Sequence, residues 1–296
     1  MAEHLRLRSG PLHAVLAPAA GGSIARLDWL GEGARLPVLR GADAPASPLE
    51  AGCFPLVPYC NRIRDGRFHF RGREVRLAPN MAGDPSPLHG HGWLAAWEVV
   101  EASAASAVLG YRHAPDAWPW AYEAHQHIAL ADDRLEAALS CTNRSDDDMP
   151  CGLGFHPYFP CTAGARLTTR VVNVWTVDEH VLPVDRRAAT GRYALDGRAV
   201  CGRDLDNGYD GWGGSARIEA GQLPFAIEMS SREAGFFQLY SPPNGALFVA
   251  EPVSHANAAL NAPEEAWPAL GLRVLKPGET MRLTMALTLR PKPARA

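Results

Sequence analysis

The residue in this sequence best suited to move a proton near neutral pH is His156, which lies almost midway along the chain. It belongs to the run at positions 152–160, Gly-Leu-Gly-Phe-His-Pro-Tyr-Phe-Pro. Because Pro157 follows it, His156 is restricted to extended geometry and cannot lie inside a helix. A histidine in such an aromatic wall can titrate near neutral pH and act as a proton donor or acceptor. The alternative is a core histidine that bonds one backbone carbonyl.

A second ionisable residue with an informative position is Glu251. It ends the apolar run Leu-Phe-Val-Ala at positions 247–250 and stands directly before Pro252. A carboxylate at this point is either a desolvated functional group or a residue at the end of a strand that turns to solvent. The sequence alone leaves these two interpretations open.

Asn61 and Arg62 follow a segment in which Pro55 and Pro58 exclude a central strand. We therefore expect both on a loop or at the entry to a strand, where their side chains can face a cleft. Arginine offers a fixed fork of donors and asparagine offers both a donor and an acceptor, which suits the binding of vicinal hydroxyl groups. A surface arginine is the alternative. The following Asp65-Gly66 pair predicts a hairpin turn.

Two histidine pairs have the spacing that places side chains on one face of an extended backbone. His89 and His91 form the first pair, and two interpretations compete for it. A cupin-type metal site would need a glutamate three or four residues later, but the next acidic residue is Glu98. The other interpretation is that one histidine of the pair hydrogen-bonds a ligand. His125 and His127 lie in a regular strand pattern and are interpreted as structural.

The segment 204–214, Asp-Leu-Asp-Asn-Gly-Tyr-Asp-Gly-Trp-Gly-Gly, predicts a polar, glycine-rich loop that contains Asp206. Aromatic rings can stack on the C–H faces of a sugar, and carboxylates accept hydrogen bonds from its hydroxyl groups. A calcium loop would need regularly spaced oxygen ligands that end in a bidentate glutamate, which this segment lacks.

The bulk composition excludes several classes of function. With 296 residues, of which 47% are hydrophobic and 21% charged, the chain is typical of a globular protein. Its formal net charge of −3 gives no electrostatic case for nucleic acid or an anionic membrane as partner. No apolar run reaches the ~18 residues of a membrane helix, and positions 1–10 lack the apolar region of a signal peptide.

The cysteines show no metal-binding or redox motif. Six are scattered along the chain without any Cys-x-x-Cys spacing, so neither a zinc knuckle nor a thioredoxin-type motif is present. We therefore predict reduced thiols and a cytoplasmic location. The cysteines are Cys53, Cys60, Cys141, Cys151, Cys161 and Cys201.

Short strands are the predicted elements that must position these residues. The 28 glycines and 25 prolines break the chain too often for long amphipathic helices. Between the breaks the apolar pattern has period two, which predicts an all-β sandwich or barrel. Short helices are expected only around 263–267 and 44–51. Without repeats or a shift in composition, the prediction is a single antiparallel β domain over residues 1–296. The clearest alternating segments are 5–16, 68–77, 97–108, 125–141 and 281–289.

In combination and order, these motifs resemble the aldose 1-epimerase (mutarotase) family, over nearly the whole chain. The motifs are Asn61-Arg62-Ile63 with Gly66-Arg67-Phe68, Leu88-His89-Gly90, His156-Pro-Tyr-Phe, Leu205-Asp206, Glu251-Pro with Ala258-Ala-Leu-Asn261, and Leu275-Lys-Pro-Gly-Glu. The resemblance implies a large antiparallel β-sandwich, the galactose mutarotase-like supersandwich, and an epimerase without cofactor or metal. It implies a small-molecule sugar substrate and a monomer or homodimer. By motif, Glu251 is the general base and His156 the general acid. The residues implied to bind the sugar are Asn61, Arg62, His89, Tyr158 and Asp206.

The chain departs from the galactose branch of that family at its motifs, which leaves the sugar open. His91 replaces a second glycine after Gly90, and Phe-His-Pro-Tyr-Phe-Pro replaces Asn-His-Ser-Tyr-Phe-Asn. A hexose-6-phosphate epimerase is the first alternative, favoured if Arg64, Arg67 or Arg71 lines the cleft. A carbohydrate-binding protein without turnover is the second, and a metal-dependent cupin enzyme the last. A neutral sugar is favoured, because the arginines at 64, 67, 71, 73 and 76 fall in a hairpin whose charged face is solvated.

Overall fold

The structure of the protein is a computed structural model, which describes residues 4–31, 33–221 and 223–292. Residues 1–3, part of the segment considered for a signal peptide, lie outside the described residues, as do the last four of the predicted 1–296 domain. In the described ranges, no helix has the length and apolarity that a membrane crossing requires.

Short β-strands joined by turns make up the regular structure of the described residues, as the period-two pattern predicts. The strands are β1 (Leu5–Ser9), β2 (Leu12–Ala17), β3 (Ser23–Gly31), β4 (Ala34–Leu39), β5 (Pro55–Leu56), β6 (Arg67–Phe70), β7 (Arg73–Arg76), β8 (Glu98–Ala102), β9 (Ser106–His113), β10 (Tyr122–Ala131), β11 (Arg134–Asn143), β12 (Met149–Cys151), β13 (Gly154–Phe155), β14 (Tyr158–Pro160), β15 (Arg166–Thr169), β16 (Asn173–Val177), β17 (Pro183–Ala188), β18 (Asp196–Ala199), β19 (Leu205–Asp210), β20 (Ser215–Glu219), β21 (Phe225–Ser230), β22 (Phe236–Ser241), β23 (Leu247–Val253), β24 (Arg273–Leu275) and β25 (Thr280–Pro291).

Helical structure in the described chain is limited to single 3₁₀ turns of three residues. Two of them, Pro48–Glu50 and Glu264–Ala266, fall in the two segments that the sequence predicts as short helices. The others are Arg64–Gly66, Gly92–Leu94, Gly191–Tyr193 and Ala259–Asn261.

Two large antiparallel sheets form the frame of the molecule. One has nine strands in the order β18-β15-β20-β21-β25-β11-β10-β9-β8. The other has eight, in the order β17-β16-β19-β22-β23-β13-β5, with β14 also paired to β23. A four-stranded sheet, β1 to β4, and the small pairs β6-β7 and β12-β24 complete the set. The predicted all-β, antiparallel sandwich is confirmed.

The apolar core is formed by alternating side chains from both large sheets. In β25 the alternate residues Met281, Leu283, Met285, Leu287 and Leu289 are all buried. They belong to the same buried cluster as residues of β22 and β23 in the other sheet. Removal of this apolar surface from water is the main force that holds the two sheets together.

The predicted hairpin at 68–77 is present, but its turn is not at Asp65-Gly66. That pair belongs to a 3₁₀ turn that leads into β6, and the β6-β7 hairpin reverses at Arg71 and Gly72. Both of these residues have positive φ, 51° and 76°. Asp65-Gly66 therefore forms a turn, as predicted, but this turn does not connect the two strands of the hairpin. The register is set by the burial of Phe68 and Phe70 on one face.

The segment predicted as a polar loop at 204–214 is wrong in its first half, because residues 205–210 form strand β19. Leu205, Asn207 and Tyr209 alternate as buried residues, and β19 pairs with β22 over its whole length. The glycine and aspartate content concealed this alternation. Asp206 is thus held by a strand in the interior of a sheet.

The prediction that all six cysteines are reduced thiols is also wrong. Cys161, directly after β14, and Cys201, in the segment between β18 and β19, form a disulfide. Sequence spacing gave no sign of it, because the two residues are 40 positions apart and meet only in the fold. The other four cysteines are free and buried. The cytoplasmic location stays a prediction, which this disulfide does not support.

Candidate active site

One cavity gathers all seven residues that the sequence singled out for acid–base chemistry or sugar binding. Its volume is about 290 Å³. Three neighbouring strands of the eight-stranded sheet, β19, β22 and β23, supply part of the wall. The loops that follow β5 and β7, the corner between β13 and β14, β14 itself and the 3₁₀ turn Pro48–Glu50 supply the rest. The seven residues are Asn61, Arg62, His89, His156, Tyr158, Asp206 and Glu251.

His156 lies at the corner between β13 and β14, in the extended backbone that Pro157 imposes. Its backbone N–H donates to the Phe54 carbonyl at 3.0 Å, and its ring stacks on the Phe54 ring at 4.5 Å between centroids. Among the described residues its buried Nδ1 has no hydrogen-bond partner. The interpretation as a core histidine satisfied by a backbone carbonyl therefore fails.

Glu251 is buried inside strand β23, with only 3% of its surface exposed. The strand continues through Pro252, so the desolvated alternative for this carboxylate holds and the solvent-facing one does not. Its Oε1 lies 3.6 Å from Nε2 of His156. Its other oxygen, Oε2, is buried and has no partner in the described part of the chain. Buried polar atoms without partners are rare, and in a cavity they are ready to bond a ligand.

Burial shifts the two ionisable groups in opposite directions. It lowers the pKa of His156 to about 3. It raises the pKa of Glu251 well above the usual range, and the nearby Asp206 carboxylate raises it further. Both shifts favour the uncharged forms, a protonated carboxyl group on Glu251 and a neutral imidazole on His156, which together carry one titratable proton. The ion pair of a carboxylate and an imidazolium contains the same single proton, so the two forms interconvert by proton transfer between Oε1 and Nε2.

His89 and Asn61 support each other at the cavity wall. The Asn61 backbone N–H donates to Nδ1 of His89 at 3.1 Å, and the His89 N–H donates to the Asn61 carbonyl at 3.0 Å. The first bond requires that the ring hydrogen of neutral His89 is on Nε2, where it is available to a ligand. Burial, with smaller effects of His156 and Arg62, lowers the pKa of His89 well below its usual value. Both residues have left-handed φ, 60° and 58°, a strain that is common at ligand sites.

Arg62 is held in place by neighbours on three sides. Its Nε donates to Oδ2 of Asp84 at 2.8 Å, and its Nη1 donates to Oδ1 of Asn61 at 3.1 Å. Its backbone N–H donates to Oδ1 of Asn257 at 3.0 Å. These bonds fix the plane of the guanidinium and leave donors over for the cavity, because the group carries five N–H hydrogens.

Asp206 faces the cavity from β19. Nε2 of Gln238, on the adjacent strand β22, donates to its Oδ1 at 2.6 Å. Burial raises the pKa of Asp206, while Arg62 and this bond act in the other direction. Gln238 is the register partner of Glu251 on β23. Gln238 therefore lies on the strand between the two strands that carry the carboxylates of Asp206 and Glu251. Tyr158 closes another side of the cavity, and its ring packs under the Arg40 guanidinium at 4.1 Å.

Sequence reasoning missed several residues that shape this site. Asp84 stands in a Gly-Asp-Pro turn with no motif around it, and Gln238 is one polar residue in an alternating strand. Neither offers a signal, because both act through partners that are remote in sequence. Phe54 and Trp93 do lie beside predicted motifs, and their aromatic character is the signal that was available. Their rings stack at 5.4 Å and line the cavity.

The structure does not bring His91 to the cavity beside His89. The His91 ring stacks on His113 at 4.6 Å, whereas His89 meets the His156 ring edge to face at 5.3 Å. The i, i+2 spacing fails to place both on one face because His89 and Gly90 have positive φ. In the described residues, no cluster of three or more histidine, cysteine, aspartate or glutamate side chains is arranged to hold a metal. His125 and His127 lie on β10 and do not line the cavity.

The arginines that would mark a phosphate site do not line the cavity. Arg67, Arg71 and Arg73 are exposed on the β6-β7 hairpin. Arg64 turns towards Asp178 and the Pro183 carbonyl. Among the residues that line the cavity, Arg62 supplies the single guanidinium. The cavity thus combines the neighbouring side chains of His156 and Glu251 with several hydrogen-bonding groups and little positive charge.

The chain has relatives in sequence and in structure. A family profile described as aldose 1-epimerase matches residues 3–288. The uncharacterised Escherichia coli K12 protein YphB is 34% identical over 261 residues, which are 85% of this chain and 88% of that protein. The crystal structure of a candidate aldose 1-epimerase from E. coli K12 has a TM-score of 0.88 at 31% identity, over 98% of this chain and 99% of that one. A galactose mutarotase-like protein from Clostridium acetobutylicum, 19% identical, shares the fold with a TM-score of 0.84 over 97% and 95% of the two chains.

Proposed function

Because the chain belongs to the aldose 1-epimerase family and has the galactose mutarotase-like β-sandwich fold, we propose that it interconverts the α and β anomers of a free aldose. The observation that carries the proposal is the 3.6 Å approach of His156 Nε2 to Glu251 Oε1 inside a cavity lined with hydroxyl-binding groups. Anomer interconversion needs one base and one acid at neighbouring oxygen atoms of the sugar, and this pair supplies both.

In the proposed reaction, Glu251 removes the proton from the anomeric hydroxyl while His156 gives a proton to the ring oxygen. The C1–O5 bond breaks, a C1 carbonyl forms, and the open-chain aldehyde rotates about C1–C2. Ring closure on the other face reverses both proton transfers, so the enzyme ends with the proton arrangement it had at the start. No electrons are exchanged and no group leaves the sugar, so the reaction is complete without a redox step.

The proton arrangement that this mechanism needs differs from the one that burial favours. Burial favours the proton on Glu251, whereas the reactive form has a carboxylate and an imidazolium. We infer that substrate binding favours the charged form, because sugar hydroxyls can hydrogen-bond the unpartnered Oε2 of Glu251 and Nδ1 of His156. The shift changes neither the proton count nor the net charge of the pair.

We propose a neutral aldose as the substrate and not a sugar phosphate. A phosphate group is normally held by several convergent arginines or by helix N-terminal amides. The cavity offers one arginine, already bonded to Asp84, and it also carries Asp206 and Glu251. A phosphate dianion in this cavity would meet the Asp206 carboxylate and a single guanidinium whose charge Asp84 already balances.

The test is the rate of mutarotation of pure anomers of glucose, galactose and other aldoses, followed by polarimetry with the uncatalysed rate subtracted. Replacement of Glu251→Gln keeps the shape but removes the base, so kcat should fall by about 10²–10⁴, the typical contribution of acid–base catalysis. Glu98→Gln, at an exposed position of β8, is the matched control and should leave the rate unchanged.

Near wild-type turnover in Glu251→Gln would refute the assignment of the base. A wild-type protein that binds aldoses but accelerates none of them would instead support the alternative of a carbohydrate-binding protein without turnover.

A further inference from the structure

A second cavity adjoins the candidate active site at Asp206. Its volume is about 280 Å³, and it shares Asp206 and Tyr240 with the first cavity. These two residues are register partners on β19 and β22, so their side chains stand next to each other on one face of the sheet. They form the boundary between the two cavities.

The second cavity exists because strands β16 and β19 separate. Their ladder consists of Asn173 paired with Asp210 and Val174 paired with Tyr209. Beyond these two pairs, a side-chain bond replaces the backbone ladder: the amide of Asn207 donates to the Trp175 carbonyl at 2.9 Å. The space between the end of β16 and the start of β19 is therefore open, and the 3₁₀ turn Gly191–Tyr193 borders it.

The lining of this cavity is polar and aromatic and carries no excess of positive charge. Nη2 of Arg192 donates to the Asp204 carbonyl at 2.7 Å, which holds the guanidinium at the cavity. The ring of Tyr240, which is 36% exposed, supplies a flat apolar face, and the ring of Tyr193 lies against the Arg192 guanidinium at 5.5 Å. The carboxylates of Asp204 and Asp206 outnumber the one arginine, so the cavity is poorly suited to phosphate or another anion. Aromatic faces beside charged hydrogen-bonding groups suit a neutral sugar.

We propose that this second cavity binds a neutral sugar residue that is glycosidically linked to the aldose in the active site. The substrate class then includes the reducing ends of short oligosaccharides. The two cavities together reach the range of ~300–1,000 Å³ that small-molecule sites occupy. The glycosidic bond is neither formed nor broken, because ring opening needs only O1 and the ring oxygen of the reducing residue.

The inference rests on the proposed function, so its test measures a monosaccharide and disaccharides side by side. The probes are the four β-linked glucobioses, joined through O2, O3, O4 or O6, with glucose as the monosaccharide. If galactose proves to be the preferred aldose, the corresponding galactobioses replace them. We expect at least one linkage to be anomerised with a kcat/KM equal to or above that of the monosaccharide.

Variants at the second cavity separate its contribution from that of the catalytic pair. Arg192→Ala should lower kcat/KM for the accepted disaccharide about tenfold, the loss typical of one hydrogen bond to a charged group, and leave the monosaccharide unchanged. Arg187→Ala is the matched control. Both arginines lie over the Tyr193 ring, at 5.3 Å for Arg187 and 5.5 Å for Arg192, but only Arg192 lines the cavity. Val177→Trp, which fills the cavity from β16, should act like Arg192→Ala.

The outcomes distinguish the two proposals. If no monosaccharide and no disaccharide is anomerised, the proposed function fails. If the monosaccharide is accepted and no disaccharide is, or if Arg192→Ala and Arg187→Ala act alike, this inference alone fails. Glucose 6-phosphate, measured alongside, serves as the anionic probe. If Arg192→Ala lowers kcat/KM only for this sugar, the cavity binds an anion and the inference is overturned.

Discussion

Glu251 occupies an environment that makes the folded protein less stable at neutral pH than an uncharged side chain would. Burial and the Asp206 carboxylate raise its pKa in the folded state. In the unfolded chain the same group ionises at its ordinary pKa of about 4.3. Above that pH, ionisation of Glu251 stabilises the unfolded state, whereas the folded state keeps the carboxyl group protonated until its higher pKa is reached. A carboxylate held in this way is typical of a functional site and not of a stabilising contact.

The stability of Glu251→Gln should therefore depend on pH. A raised folded-state pKa means that the destabilising effect is absent below the unfolded pKa and grows as pH rises towards the folded pKa. The limiting slope for one proton is about 1.4 kcal/mol per pH unit. The variant and the wild type should be equally stable near pH 4, and the variant more stable at pH 6 and 8. Urea unfolding at the three pH values, with Glu98→Gln as control, measures this difference. A difference that does not vary with pH would point to packing instead.

The rate of the reaction should tolerate acid better than a pair with ordinary pKa values would. The active form carries one proton, and a second proton must go onto His156, whose pKa burial lowers to about 3. A lowered pKa moves the acid limb of kcat/KM to lower pH, because kcat/KM reports the ionisations of the free enzyme. We expect no loss of kcat/KM between pH 6 and 4.5, measured by polarimetry after subtraction of the uncatalysed rate. An acid limb centred at or above pH 4.5 would contradict this.

At the scale of single residues, the sequence predicts which side chains meet in the cavity. It predicts less well which hydrogen bonds hold them in place. His156, Glu251, His89 and Arg62 are recognisable because their types, neighbours and order form motifs. Asp84, which holds Arg62, and Gln238, which holds Asp206, are not recognisable in this way, because their partners are remote in the chain. His91 shows the converse error, since an i, i+2 spacing places two residues on one face only where the backbone is extended, and His89 and Gly90 have positive φ.

The loop that carries Asp84 has the role of aiming Arg62. The Asp84 carboxylate bonds Nε of Arg62 at 2.8 Å, and both side chains are only 10% exposed. Asp84→Asn keeps the shape of the side chain and removes its charge. We expect KM to rise about tenfold with kcat nearly unchanged, because Arg62 contributes binding that is equal in the ground and transition states. Asp178→Asn is the control, because its contact with Arg64 is long, 4.0 Å, and remote from the cavity. A tenfold fall in kcat with KM unchanged would instead mean that Arg62 stabilises the transition state more than the bound substrate.

At the scale of elements, alternation predicts a strand well where turn residues do not interrupt it. The final strand β25 alternates over its whole length and is predicted from residue 281 onwards. Strand β19 has the same alternation of buried residues, but its glycine and aspartates carry the composition of a loop. There the pairing with β22 decides the conformation. The paired residues are 26 to 36 positions apart in the chain, so the local sequence gives no indication of this partner strand. Because β19 carries Asp206, the wrong prediction of a loop also applies to this residue of the candidate site.

The whole molecule is best described by how its two large sheets share one core. Buried apolar residues of the nine-stranded and eight-stranded sheets belong to a single cluster. Strands β15, β18, β20 and β21 belong to the nine-stranded sheet, whereas β16, β17, β19, β22 and β23 belong to the eight-stranded one, so the chain crosses from one to the other several times in that region. We propose on these grounds that the chain folds as one domain, as the even composition of the sequence suggests.

A test of this proposal uses the disulfide between Cys161 and Cys201. It links the end of β14, in the eight-stranded sheet, to the segment that follows β18, in the nine-stranded sheet. Its removal by Cys161→Ser with Cys201→Ser should lower the free energy of unfolding by about 2–4 kcal/mol, since it closes a loop of moderate length. In a single domain, tryptophan fluorescence and far-UV circular dichroism should report one shared transition before and after the change. Two separated transitions in the double variant would mean that the sheets unfold independently. An unchanged free energy of unfolding would contradict this prediction, because it would mean that the disulfide does not stabilise the folded domain.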